Sequence, residues 1–375
     1  MKKALSMIMA CAMAAALLTG CSASTPKTQE TTEAVTTADT TTAETAAETT
    51  QVKEKEPETT VKESEAQTSQ EEAGEKVTLR VGSMKGPTTM GLVSLMDKSS
   101  KEEAEGSYEF TMVTAADELV GQIVSGNLDI ALVPANMASI LYKKTNKGIA
   151  VINVNTLGVL YVVTADESVE TIADLKGKTV YMTGKGTTPD YVFQYLLTAN
   201  GLNKEDVTVE YKSEATEVAA VLKEQEGAIG LLPQPFVTVA LAQNESLHMA
   251  MDLNEEWEKV QGEDGSRLVT GVTVCRKELL DNTDTRKAVE LFMDEHYDSA
   301  SFANLNVKET AELVASAGII EKAPVAEKAI PYCSIVCLNG AYMKEILPGY
   351  LEVLYQQEPS SVGGELPDDG FYYLP

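Results

Sequence analysis

From Val77 onward, short apolar runs alternate with longer segments of helical character, and this alternation restricts the fold more than any other feature. Val77–Val81 reads as a strand that runs through Gly-Ser-Met-Lys-Gly-Pro-Thr into a helix from about Thr88 to Lys98. Tyr108–Val113 is a second strand, followed by a helix over Ala115–Ser125 that ends at Gly126. Asp129–Val133 is a buried strand meeting a helix that begins near Pro134. The theme repeats with strands at Val159–Thr164, Thr179–Met182, Val207–Tyr211 and Ala228–Leu232, and helices at Pro189–Ala199 and Ala215–Gln225. Strand–helix–strand order implies parallel pairing, with helices covering the sheet faces, so the class is α/β. No segment recurs at a fixed period, which excludes a solenoid. The block from 77 to 375 is ample for two lobes.

The N-terminus is of a different kind. Lys2 and Lys3 precede an apolar stretch, Ala4–Leu18, too short and Ala-rich for a membrane span, so residues 1–20 read as a signal peptide. It ends in Leu18-Thr19-Gly20-Cys21, which resembles the bacterial lipobox. That resemblance implies a lipid-bearing Cys21 and attachment to the extracytoplasmic face of a membrane, where two or more acyl chains hold a protein that one would not. Residues 21–75 carry Thr, Glu, Ala, Lys, Ser and Gln with no aromatic residue, a composition expected to be a disordered linker because it cannot offset its ordering entropy. With Cys11 in the signal peptide and Cys21 lipidated, Cys275, Cys333 and Cys337 remain. Cys333 and Cys337 are either a tight bridge in a turn or two buried thiols, since in an extended strand they stand too far apart to pair. A lone C-x₃-C without a nearby His is too poor for a metal site, and no cofactor is implied. The formal net charge of −27 offers no basic stripe for nucleic acid.

In a parallel sheet, ligands sit at the carboxyl ends of strands, beside helix N-termini. Four turns occupy such places: Met84–Met90, Pro134–Asn136, Gly184–Pro189 and Pro233–Phe236. Each has residues that also serve as ordinary helix caps, but two of them share a Lys-Gly-x-Thr composition in separate blocks, which points to a facing pair of binding loops.

Ser125-Gly-Asn-Leu-Asp-Ile-Ala-Leu-Val-Pro, Thr171-Ile-Ala-Asp-Leu-Lys-Gly-Lys-Thr-Val-Tyr and Leu232-Pro-Gln-Pro-Phe are similar, in the same order, to the nitrate/sulfonate/taurine-type and thiamine-pyrimidine-type solute-binding proteins of ABC transporters. The resemblance implies a type 2 periplasmic-binding-protein fold: two α/β lobes with mixed, mostly parallel sheets, a central cleft and two crossover strands. Val159–Thr164 and Gly271–Cys275 would be the crossovers, with 77–160 and 272–375 forming the first lobe and 161–271 the second. It further implies a monomer that captures a small molecule and delivers it to a permease and its ATPase. Gln234 stands where the family often shows Glu, which removes a charge from the implied cleft.

The expected ligand contacts are Met84, Lys85, Thr88, Thr89 and Asn136 from one lobe, with Thr187, Thr188 and Gln234 from the other. None of the four Arg (Arg80, Arg267, Arg276, Arg286) falls in the four turns, so a bidentate clamp on an anion is not evident there. A neutral or weakly anionic ligand fits at least as well. His248 and His296, the only histidines, read as surface residues beside polar neighbours, and no nucleophile or zinc motif is present. Gly177-Lys178-Thr179 imitates the end of a phosphate loop, but Ile172 stands where the first Gly is needed. Trp257 reads as a packing anchor, and Tyr191 and Tyr195 have core spacing on one helix. Catalysis is therefore not expected. An enzyme on the same two-lobe fold and a ligand-presenting component of a membrane sensor are the alternatives.

Overall fold

The computed structural model describes residues 76–262 and 265–375; the expected signal peptide, Cys21 and the linker lie outside the described residues. The chain opens with β1 (Thr78–Met84), the one-turn α1 (Pro87–Met90) and α2 (Val93–Ser100). β2 (Ser107–Val113), α3 (Ala116–Val124), β3 (Ile130–Pro134), α4 (Ala135–Lys144) and β4 (Ile149–Leu157) follow. The next stretch is β5 (Leu160–Thr164), β6 (Thr179–Met182), α5 (Thr188–Ala199), β7 (Thr208–Tyr211), α6 (Ala215–Glu224), β8 (Ile229–Pro233), α7 (Phe236–Gln243), β9 (His248–Asp252) and α8 (Leu253–Gln261). The chain ends with β10 (Val269–Arg276), α9 (Glu278–Asp281), α10 (Thr283–Leu305), α11 (Val307–Ser316), α12 (Ala323–Ala329), β11 (Ile335–Leu338) and α13 (Gly340–Gln357).

These strands make two mixed sheets, in the orders β11-β4-β10-β3-β1-β2 and β7-β6-β8-β5-β9. Each is built on a parallel trio with its first strand in the middle, β2-β1-β3 and β7-β6-β8. An antiparallel strand then flanks each trio, β10 against β3 and β5 against β8. The helices expected between strands are present, so the α/β class read from the sequence holds. β4 is buried along almost its whole length, including Asn153 and Asn155, which the alternation did not reveal. Asn155 and Thr156 survive burial because they are paired: Asn155 Nδ2 donates to Thr273 Oγ1 at 3.0 Å, and Thr156 Oγ1 donates to Asn155 Oδ1 at 2.9 Å.

The chain leaves the first sheet after Leu157 and enters the second at Leu160, then returns between α8 and β10. The first crossing is gripped by the segment before β11. Ser334 Oγ donates to Gly158 O at 2.6 Å, Leu157 N donates to Ser334 O at 3.1 Å, and Tyr161 Oη donates to Tyr332 O at 2.9 Å. A Cβ at Gly158 would lie 2.8 Å from both Asn254 Cβ and Leu268 Cδ2, so glycine is what lets α8 and the return segment close on the crossing.

Trp257 is fully buried, as its packing role required. Its ring lies 4.8 Å from that of Tyr195 and 5.6 Å from that of Tyr350, and its Nε1 donates to Ser266 O at 3.0 Å. Through this trio α13 shares one apolar core with α5 and α8, and that core continues under β4 and β10.

Three expectations need correction. The helix placed over Thr88–Lys98 is split at Gly91 and Leu92, where the backbone packs close to β11: a Cβ at Gly91 would come within 3.1 Å of Ile335 Cγ2. His296 is not on the surface: it is fully buried on α10, with Nδ1 3.3 Å from Asn153 Nδ2, and burial pushes its pKa down to about 4. His248 opens β9 and is half-buried. Of the two arrangements open to Cys333 and Cys337, the structure has two free, buried thiols, each pushed up to about 12 by burial.

Candidate functional site

The carboxyl ends of β3, β6 and β8 meet the crossover strands β5 and β10 around a cavity of about 380 Å³. That volume lies in the range of small-molecule sites, and the position is the one a parallel sheet reserves for ligands. Its walls are mainly apolar, with Met137 from the first turn of α4, Val159 and Leu160 from the crossing, and Leu231 from β8. Asn136, Thr183, Thr187, Thr188 and Thr270 supply the polar groups. No charged side chain lines it among the described residues. Other cavities of comparable size, beside β2, between α7 and α12, and under the C-terminal strap, are away from these strand ends.

Of the eight residues read from the sequence, the cavity brings together Asn136, Thr187 and Thr188. The other five do not line it. Thr89 is fully buried and its hydroxyl is consumed within its own loop, donating to Ser83 Oγ at 2.8 Å and bonding Met84 O. Thr88 donates to Met84 O at 3.0 Å, with its methyl against the glycine space at Gly271. Met84 is half-buried and Lys85 is exposed. Gln234 is buried, its Oε1 accepting from Thr238 Oγ1 at 2.9 Å, so it braces the start of α7. The first Lys-Gly-x-Thr turn therefore holds α1 onto β1, and the partner that faces the second turn across the cavity is the start of α4.

Sequence reading missed Met137, Val159, Leu160, Thr183, Leu231 and Thr270 as wall residues. Thr183 and Thr270 were within reach of the strand-end rule, since one directly follows β6 and the other pairs alongside Pro134 through Gly271. The apolar walls carried no such signal.

The groups at the polar end have defined roles. Asn136 Nδ2 donates to Ser361 O at 3.1 Å, which anchors the amide and leaves one N–H and the Oδ1 unused by that bond. Thr187 is the N-cap of α5 in extended conformation, and its Oγ1 donates to Gly184 O at 2.6 Å. Gly184 and Gly186 both have positive φ, 79° and 69°, which lets the turn double back to place Thr187 there. Asp190, in the first turn of α5, accepts from Gly186 N at 2.8 Å and from Tyr211 Oη at 2.7 Å. Arg80 and Arg276 both bind Asp129 at the opposite end of β3, at 2.7 and 2.8 Å, and Lys185, in the turn before Thr187, is exposed with Nζ 5.3 Å from the Tyr211 ring centroid.

With this geometry in place, the comparisons with known proteins are informative. No curated protein matches the chain. An ABC transporter protein from Parabacteroides distasonis is 24% identical, with a TM-score of 0.66 over 79% of this chain and 98% of its own. The periplasmic aliphatic sulphonate-binding protein SsuA from Escherichia coli is 15% identical, with a TM-score of 0.60 over 76% of this chain and 95% of its own. A ligand-binding component of an ABC-type import system from Staphylococcus aureus is 14% identical, with a TM-score of 0.57 over 79% and 96%. These likenesses establish the periplasmic-binding-protein fold. The family model for the phosphonate periplasmic substrate-binding protein of ABC transporters matches residues 101–316, more than half of the chain. Fold, strand-end cavity and family model agree, and the chain belongs to the periplasmic substrate-binding proteins of ABC importers.

Proposed function

We propose that this subunit captures a small organic or weakly anionic solute in the cavity between its two sheets and carries it to a permease, without transforming it. The observation that supports this reading is that the carboxyl ends of both parallel trios converge on one cavity with three of the expected contacts, Asn136, Thr187 and Thr188, on its wall. Lobes of 77–160 with 272–375, and of 161–271, close over the solute by bending at the two crossings, and the closed form docks on the permease. Phosphonate in the family's description and aliphatic sulphonate in that of the Escherichia coli relative mark the anionic end of the candidate range. The same reading takes the chain as a monomer, with Cys21 as its lipid anchor at the membrane's outer face and the Thr/Glu-rich residues 22–75 as the spacer. His296, sealed in the core, and His248, at the start of β9, are both away from the cavity wall, which favours carriage over chemistry.

The test is to denature purified protein and identify released small molecules by mass spectrometry, beside the same preparation of Met137→Trp. The indole fills the cavity from a half-buried position, so the wild type should release a defined solute and the variant none, with melting temperatures within a few degrees. Equal release from both would overturn the site.

A further inference from the structure

The polar atoms of the cavity are biased in a way that its position alone does not dictate. Thr187 has its hydroxyl hydrogen committed to Gly184 O at 2.6 Å and so presents acceptor oxygen, while Asn136 uses one amide hydrogen on Ser361 O and keeps the other together with Oδ1. Thr183, Thr188 and Thr270 add only neutral hydroxyls. Such a mixed, uncharged set suits an amide, alcohol or ring N–H, whereas a phosphonate or sulfonate head meets no full positive charge there. The α5 N-terminus, which elsewhere would attract an anion, is already answered. Pro189 removes one free N–H from its first turn, and the Asp190 carboxylate occupies that turn, taking the Gly186 N–H. Among the described residues no Lys or Arg lines the wall, and Arg80 and Arg276 are held by Asp129 at the far end of β3. Burying a full negative charge in a largely apolar cavity is costly without a cation, and this wall offers only neutral polar groups, one of them, Thr187, an acceptor.

We propose that the cavity selects an uncharged solute, an apolar body bearing N–H or O–H donors, and discriminates against phosphonates and sulfonates. This rests on the reading of the cavity as the solute site. Apolar contact with Met137, Val159 and Leu231 supplies affinity, while the Asn136 amide and Thr187 Oγ1 set orientation. Discrimination arises because an anionic head would lose its hydration without meeting a cation and would leave the Thr187 acceptor unpaired.

Three probes that share one ring and differ in the head group test it: benzamide, benzenesulfonate and phenylphosphonate, titrated calorimetrically into the full-length protein. Benzamide should bind at least tenfold more tightly than either anion, with an affinity that does not change between low and high salt. Thr270→Arg, which adds a cation to the wall, should reverse the order and raise affinity for phenylphosphonate at least tenfold. An anion that binds wild type as tightly as benzamide overturns the proposal, and so does silence from all three probes. Met137→Trp separates the two levels of failure. If anion binding is lost in that variant, the cavity is the solute site and only the charge class is wrong. If benzamide binding survives it, the site itself is wrong.

Discussion

Single residues decide which threonines serve the ligand and which serve the fold. Thr88 and Thr89 look the same as Thr187 and Thr188 in sequence, yet Thr89 is sealed in the core while Thr187 is exposed at a helix start. Thr89→Val should leave Ser83 and Met84 O without their partner and cost about 1–2 kcal/mol, lowering the melting temperature by several degrees with solute affinity unchanged. Loss of binding at unaltered stability would return Thr89 to the site. His296 makes a second residue-scale prediction. Its pKa is about 4 in the fold against 6.5 in the open chain, because burial disfavours the charged ring. The unfolded state therefore binds the proton first as pH falls, and stability present above pH 6.5 is lost progressively towards pH 4, by about 3 kcal/mol in all. His296→Gln, which keeps a polar group near Asn153, should flatten the melting temperature between those pH values, measured by calorimetry against wild type. An unchanged slope would mean that other groups carry the acid sensitivity.

At the level of elements, much was legible. Apolar runs located β1, β2, β3 and β5 to β8 to within a few residues; β3, β5 and β8 stand out most because a strand buried on both faces needs a continuous apolar stretch. β4 was missed because Asn153, Asn155 and Thr156 interrupt its run, and only the paired strand β10 shows why these polar groups are tolerated. The half of the cavity that was legible was its turns, where Gly, Pro and Thr signal a strand–helix junction. Its apolar walls were not, since Met137, Val159 and Leu231 are chemically the same as core residues and differ only in having empty space beside them. The crossing at Gly158 makes the prediction at this scale. Gly158→Ala pushes a methyl into Asn254 and Leu268 and should cost about 1–3 kcal/mol. Small-angle scattering should at the same time show the two sheets held at a different mean separation. A variant with wild-type stability and scattering would show that the crossing has slack.

For the whole molecule, the family, the fold and the order of the parts came from strings that lie far apart in the chain, while solute chemistry came only from the way the sheets meet. Cys21 lies outside the described residues, and its role is tested in cells: Cys21→Ala should move the protein from the membrane fraction to the medium or leave it unprocessed. A processed variant that stays on the membrane would refute the anchor. The sheet order carries one more consequence. β10 lies between β3 and β4, so the strands of the first sheet that are made early cannot join until residue 276 has been made. Its other edge, β11, and the aromatic lid from α13 over Trp257 come later still. A growing chain thus holds the second sheet's strands complete while the first is still two fragments with an open gap between β3 and β4. The ribosome delivers the keystone only after every strand of the second sheet, so the first sheet cannot close until the second has all its parts.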